Sequence, residues 1–476
     1  MKSFLYLIIS LVLVSPLKAQ SHSSLTSQIE DILSNEFFET STVAIDIYDL
    51  TDNKSLYKKN HKLLLRPASN LKLLTSAAGL LFLGPDYKFK TSFYHTGQLR
   101  DSVCYGDFFV VGGFDPEFSS ADLDSVIQLI KNFGIKEIRG NLYGDVSLMD
   151  SLHWGAGWMW DDDPYIFSPY LSSLSINKNG IKIAYESAAI GFPAKVNIIP
   201  ESGYYSLSNS SYTSIEDTSD ISIIRDFINH TNKIIIDGSL SFRAEPDTSK
   251  LNLVHPEKYF LTLMKENLER RGMNIEGMID TATLKEDTTF ITSIERSLID
   301  VLNNLNKESD NLNAELVLRA LAYENFGKPA SAENGIKMID SLLTLVGLDS
   351  VQYRMTDGSG LSFYNLFSVE IMNELLKYMY LREEELFTHF YDSLPIAGVD
   401  GKLEKRMMNG AVFNNVRAKT GTLSGISCLS GYLTTKNAHF ISFSIFIQNY
   451  VGSSERASSF QDRICRILCE MNDAKP

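Results

Sequence analysis

The rhythm of apolar and polar positions changes several times along the chain. "STVAIDIYDL" (41–50) alternates and is rich in β-branched residues, which predicts a strand, and "KSLYKKN" reads as its hairpin partner. From about Ser69 to Leu83 the apolar residues predict a helix that stops at Gly84-Pro85. The texture turns to strands from about residue 88, in "KFKTSFYHTGQL", "SVCYGDFFVVGGFDP" and "IKEIRGNLYGDV". Between the last two lies a capped helix, "SSADLDSVIQLIKNFG", closed by Gly134. The Ser/Tyr/Asn-rich stretch 201–220 reads as a loop or weak hairpin. From about His255 helices dominate, and the chain then returns to strands in "GAVFNNVRAKTGT", "GISCLSGYLTT" and "AHFISFSIFIQNY". A last amphipathic helix has a narrow apolar face (Ile464, Ile467, Leu468, Met471), suited to packing on the preceding sheet rather than to membrane binding.

The first twenty residues, "MKSFLYLIISLVLVSPLKAQ", break this pattern. One lysine precedes an apolar run that ends at a proline, with a small residue at Ala19. That is the make-up of a secretory signal peptide and is short for a permanent anchor. No later run is long enough to span a bilayer, so no transmembrane anchor is expected in the mature chain. The 476 residues and 44% hydrophobic content allow several domains with a large core. The net charge of −14 argues against nucleic acid, whose phosphates would be repelled. Four cysteines (Cys104, Cys428, Cys465, Cys469) are too few to frame a fold of this size and are read as small buried apolar residues. No CxxC pair or HExxH run is present, so neither a metal nor another cofactor is indicated.

Ser-x-x-Lys occurs four times, beginning at Ser15, Ser55, Ser69 and Ser175, and context separates the copies. Only Ser69 stands at the mouth of a strong helix, where Lys72 falls one turn on and on the same face. A serine hydroxyl becomes a nucleophile when a base takes its proton, and a lysine with a lowered pKa can be that base. A helix N-cap beside a solvated lysine would give the same spelling. Ser309-Asp310-Asn311 precedes another strong helix, where capping is the plain alternative. Lys419-Thr420-Gly421 ends one strand-like run before the next, where a basic turn is the alternative. All three together, in this order and these contexts, are hard to attribute to chance.

S-x-x-K, S-D-N and K-T-G form the signature of penicillin-binding proteins and class A β-lactamases. Longer stretches, among them "GAGWMWDDDPYIFSPYLSSLSIN", "MTDGSGLSFYN", "PIAGVDGKLEKRM" and "VRAKTGTLSGISCLSGYLTT", resemble the class C penicillin-binding proteins. These are secreted D-alanyl-D-alanine carboxypeptidases that double as endopeptidases. The likeness runs from about residue 25 to 470, and the Ser69–Ser309 spacing suits a family with inserted domains. It implies that Ser69 attacks the penultimate D-alanine carbonyl of a peptidoglycan stem peptide and that Lys72 takes its proton. Ser309 would relay that proton to the leaving amine, and Asn311 would hold Lys72 and the substrate amide. Lys419, with Thr420 and Thr422, would bind the terminal carboxylate, and Lys419 would help depress the pKa of Lys72. Gly421 would let substrate lie along the strand edge, and the backbone N–H groups of Ser69 and Thr422 would form the oxyanion hole. Asp162 matches an acid that meets the free amine of diaminopimelate; flanked by Asp161 and Asp163, it also fits a solvated acidic turn. Where many members carry arginine after "DGSGLS", this chain has Phe363, so that polar contact is not carried over.

The expected fold is α/β (α+β): a penicillin-binding/β-lactamase-like transpeptidase domain, its antiparallel sheet flanked by helices, with a large mostly β insert. The signal peptide would take residues 1–20, the catalytic domain 21–87 and 256–476, and the insert 88–255, as two subdomains. The expected enzyme is a periplasmic serine-type carboxypeptidase and endopeptidase that binds β-lactam antibiotics covalently. A β-lactamase-like hydrolase of the same fold, or a non-catalytic peptidoglycan-binding protein, are the alternatives.

Overall fold

A strand buried on both faces has no reason to alternate, and the "GISCLSGYL" run is such a strand. In the computed structural model, which describes residues 24–471, Ile426–Thr434 is buried along nearly its whole length. It belongs to a five-stranded antiparallel sheet in the order Arg417–Leu423, Ile426–Thr434, Phe440–Gln448, Thr42–Asp49, Lys54–Lys59. The hairpin read from residues 41–60 is therefore present, and its first strand pairs with the far end of the chain, Thr42 opposite Gln448.

The helices Leu25–Leu33 and Ser454–Glu470 cover one face of this sheet. Ile464, Leu468 and Met471 of the last helix are buried there, so its apolar stripe is used in packing. The other face carries a helical layer that includes Lys72–Phe82, Leu298–Lys307, Asn311–Phe326 and Val369–Arg382. Lys72–Phe82 and Asn311–Phe326 are enclosed almost all round, which is why neither shows a clean amphipathic stripe.

The insert leaves the catalytic part at Lys88 and returns at Ser297. One half has a five-stranded mixed sheet in the order Ile279–Thr281, Leu142–Asp145, Phe108–Val111, Lys88–His95, Thr289–Ser297. The helices Ser120–Phe133 and Pro256–Arg270 pack into the same core. The other half holds a sheet of Lys195–Ile199, Gly180–Glu186 and Asp247–Asn252, and a second built around Lys233–Ser241. The pairing carries residues 256–297 with the insert, beyond the boundary expected at 255. Helix Pro256–Arg270 reads like the catalytic helices in sequence, but Phe260, Leu261 and Met264 are buried against insert residues. Residues 201–220 are largely loop, as expected, but their two short strands do not form a hairpin with each other. Ser206–Asn209 and Tyr212–Ser214 each pair in parallel with Lys233–Ser241, and Asp220–Arg225 pairs with it from the other side.

No helix among the described residues is long and apolar enough to cross a membrane. The segment read as a signal peptide lies outside the described residues. All four cysteines are free and buried.

Candidate active site

Ser69 is not a helix cap. Pro67 and Ala68, the latter in the left-handed region (φ +45°), turn the chain into a short 3-10 turn, Ala68–Leu71, and the α-helix begins at Lys72. The serine hydroxyl is thus committed to no backbone N–H of the helix start. Lys72 Nζ lies 3.0 Å from it. The same amine donates to Asn311 Oδ1 at 2.5 Å and to the Ser359 carbonyl at 2.6 Å. Two acceptor oxygens and one hydroxyl suit a neutral amine, with two hydrogens to donate and a lone pair facing Ser69.

Lys72 is fully buried, and burial lowers its pKa to about 8 against the pull of Asp357, Glu315 and Asp310. Two of these acids are tied to one loop. Glu315 Oε1 accepts the N–H groups of Gly358 and Ser359. Asp357 accepts from the N–H groups of Gly360 and Ser362, the Asn365 amide and the Trp158 indole. The loop therefore presents the Ser359 carbonyl to Lys72 from a fixed position. The "MTDGSGLSFYN" stretch contributed to the family resemblance, but nothing local in it pointed to Lys72.

Lys419 is also fully buried. Its Nζ donates to Ser309 Oγ at 2.9 Å and to the Thr420 carbonyl at 3.0 Å. Ser309 is held in the left-handed region (φ +61°), just before Asp310 caps the Asn311–Phe326 helix by accepting the N–H of Asn313. Burial draws the Lys419 amine well below its ordinary pKa; Lys72 and then Lys402 add to this, and Glu308 opposes it. Burial, not Lys419, is thus the leading cause at Lys72. The acids Asp357, Glu315 and Asp310 oppose the lowering at Lys72, whereas at Lys419 only Glu308 opposes it.

The strand Arg417–Leu423 lies at the sheet edge, directly against the serine turn. A Cβ on Gly421 would come within 2.8 Å of the Pro67 carbonyl oxygen and 3.1 Å of the Ala68 Cβ. The glycine thus admits the serine turn itself, where room for substrate was expected. Asn70, buried and not singled out by its sequence, donates to the Lys419 carbonyl at 2.5 Å and clamps the turn to this strand.

A cavity of about 440 Å³ opens over these groups, lined by Ser69, Asp162, Ser309, Asn311, Thr420 and Thr422 among others. The three neighbouring acids of "WDDD" separate by environment. Asp161 is exposed, while Asp163 is buried in an ion pair with Arg225 and accepts from Tyr170. Asp162 lines the cavity with its carboxyl pKa raised, mainly by burial. Phe363 has the Arg66 guanidinium 5.5 Å from the centre of its ring. Of the other Ser-x-x-Lys copies among the described residues, Ser55 lies in a strand and Ser175 is buried, donating to the Ser172 carbonyl.

The model of the D-Ala-D-Ala carboxypeptidase 3 (S13) family matches residues 25–470. The chain belongs to this family. It is therefore a hydrolase of the serine-type D-Ala-D-Ala carboxypeptidase class. Among S13 relatives, the D-alanyl-D-alanine carboxypeptidase of Actinomadura sp. (strain R39) is 29% identical over 463 residues, covering 94% of this chain and 85% of the relative. The D-alanyl-D-alanine carboxypeptidase DacB of Haemophilus influenzae is 26% identical, covering 88% of each chain. The crystal structure of penicillin binding protein 4 (dacB) from H. influenzae shares the fold, with a TM-score of 0.82 at 24% identity over 92% of this chain and 97% of that one. A structure of the same protein complexed with a β-lactam has a TM-score of 0.77 at 23% identity, over 92% of this chain and 98% of that one.

Proposed function

We propose that the protein hydrolyses the D-alanyl-D-alanine ends of peptidoglycan stem peptides, and D-alanyl–diaminopimelate crosslinks, through an acyl-enzyme on Ser69. The observation that carries this reading is the buried Lys72 amine, in reach of Ser69 Oγ and steadied by Asn311 and the Ser359 carbonyl. Ser69 Oγ bonds to the carbonyl carbon of the penultimate D-alanine as Lys72 takes the hydroxyl proton. The backbone N–H groups of Ser69 and Thr422 hold the oxyanion. Lys419, Thr420 and Thr422 hold the terminal carboxylate, whose negative charge favours a protonated Lys419. Ser309 passes the proton to the leaving nitrogen as the C–N bond breaks. Water then attacks the ester and Ser69 recovers its proton.

β-Lactams would acylate the same serine, a reading supported by the relative described in complex with one. A periplasmic location is supported by the charged-then-apolar segment of residues 1–20. Mass spectrometry of purified muropeptides incubated with the protein tests the activity. Loss of D-alanine and opening of crosslinks are expected, with fluorescent penicillin retained on Ser69. Intact muropeptides together with rapid penicillin turnover would instead identify a β-lactamase.

A further inference from the structure

A second cavity, of about 730 Å³, lies between the insert and the catalytic part. It shares Phe167, Glu308, Ser309, Asn311 and Lys402 with the active-site cavity, so the two meet at the serine and asparagine of the S-D-N motif. Its size falls within the range of sites that bury a sizeable ligand, far more room than a departing D-alanine needs. Apolar residues, including Ile181, Ile199 and Leu312, line it together with the lysines Lys182, Lys250 and Lys402.

The lysines are arranged at a cost. Lys182 and Lys250 stand directly opposite each other on antiparallel strands, Gly180–Glu186 and Asp247–Asn252. Like charges in that register repel. Both are exposed and, like Lys402, have no ion-pair partner among the described residues, whereas Lys178 in the same wall is paired with Glu117 and Asp310. Glu308 and Asp310 are the acids in the lining, and Asp310 is engaged by Lys178. An acidic chain thus keeps three unpaired cations around one cleft beside its nucleophile.

We infer that this cleft is a subsite for the leaving strand of a crosslink: it takes the second peptide stem, with Lys182 and Lys250 attracting that stem's carboxylates. The inference rests on the function proposed above, in which the leaving nitrogen departs at Ser309. Ser309 stands in the wall common to both cavities, so whatever is attached to that nitrogen enters the second cavity first. A monomeric pentapeptide releases only D-alanine and leaves the cleft empty. A crosslinked dimer fills it.

The test compares kcat/KM for a purified crosslinked muropeptide dimer and for a monomeric pentapeptide, with penicillin acylation measured on the same preparations. In Lys182→Met/Lys250→Met the dimer-to-monomer ratio is expected to fall about fivefold or more, the scale of two screened ion pairs. Monomer cleavage and acylation should hold. Lys182→Glu should do the same while placing opposite charges across the strands, which keeps the sheet paired. In the wild type the ratio should fall as salt rises, and in the double variant it should be flat. An unchanged ratio, or equal losses on both substrates, overturns the subsite. A wild type that is acylated yet cleaves neither substrate overturns the proposed function instead.

Discussion

Two sets of lysines lie around Ser309, and they differ in burial and in bonding. Lys72 and Lys419 are fully buried, bonded at short range to serine hydroxyls and fixed oxygens. Lys182, Lys250 and Lys402 are exposed on the walls of a wide cleft, with no ion-pair partner among the described residues. Burial makes the charged state of an amine costly, so the first pair is suited to exchanging protons. The second set faces solvent, where a cation attracts anions at long range and in a salt-dependent way. On the function and subsite proposed above, the contrast separates a region that performs chemistry from one that selects what reaches it.

The contrast is tested most severely at the nucleophile. Ser69→Ala should abolish labelling by fluorescent penicillin; label persisting on another serine would remove the buried set from the chemistry. Lys72→Arg keeps a cation that does not give up its proton, and acylation should fall about 10²-fold or more. Lys419→Arg should be milder, since a cation facing a carboxylate is retained. The reverse ranking would exchange the two roles. On the proposed mechanism, acylation requires the neutral Lys72 amine. With its pKa lowered to about 8, the wild-type rate should rise as pH climbs through that value and fall away below it. Glu315 is one of the acids holding the proton on Lys72. Glu315→Gln keeps an acceptor for the Gly358 and Ser359 N–H groups and should move that midpoint to lower pH, by about one unit or less.

Smaller effects sharpen the comparison. Gly421→Ala would set a Cβ 2.8 Å from the Pro67 carbonyl oxygen and should destabilise the protein by about 1–3 kcal/mol, read from thermal melts, with a parallel loss of acylation as the serine turn shifts. Asp162, in the insert, lines the active-site cavity, and on the proposed function it would select substrates rather than catalyse. Asp162→Asn should lower kcat/KM about fivefold for peptides bearing a free ammonium, roughly 1 kcal/mol for a partly screened pair, and leave penicillin acylation nearly unchanged. Equal losses on both would make Asp162 a folding residue.

What could be read from residue order alone was local or periodic. Ser69 and Lys72 are one turn apart in any helical path, so their meeting survives the finding that the serine sits in a 3-10 turn rather than at a helix cap. Strands such as Thr42–Asp49 and the closing helix announce themselves through alternation and an apolar stripe. The motif order carried the family. Tertiary structure alone decided the rest, because the deciding contacts join distant parts of the chain. Asn311 reaches Lys72 from 239 positions away, and Asn70 reaches the Lys419 carbonyl from 349. The separation of Asp162 from Asp163 depends on Arg225, 62 residues further on, and no property of "WDDD" encodes it. Helix Pro256–Arg270 belongs with the insert because of what covers it, not because of how it is spelled. The lowered pKa values of Lys72 and Lys419 come from the same source: desolvation belongs to the surrounding atoms, and only the folded chain brings those atoms together.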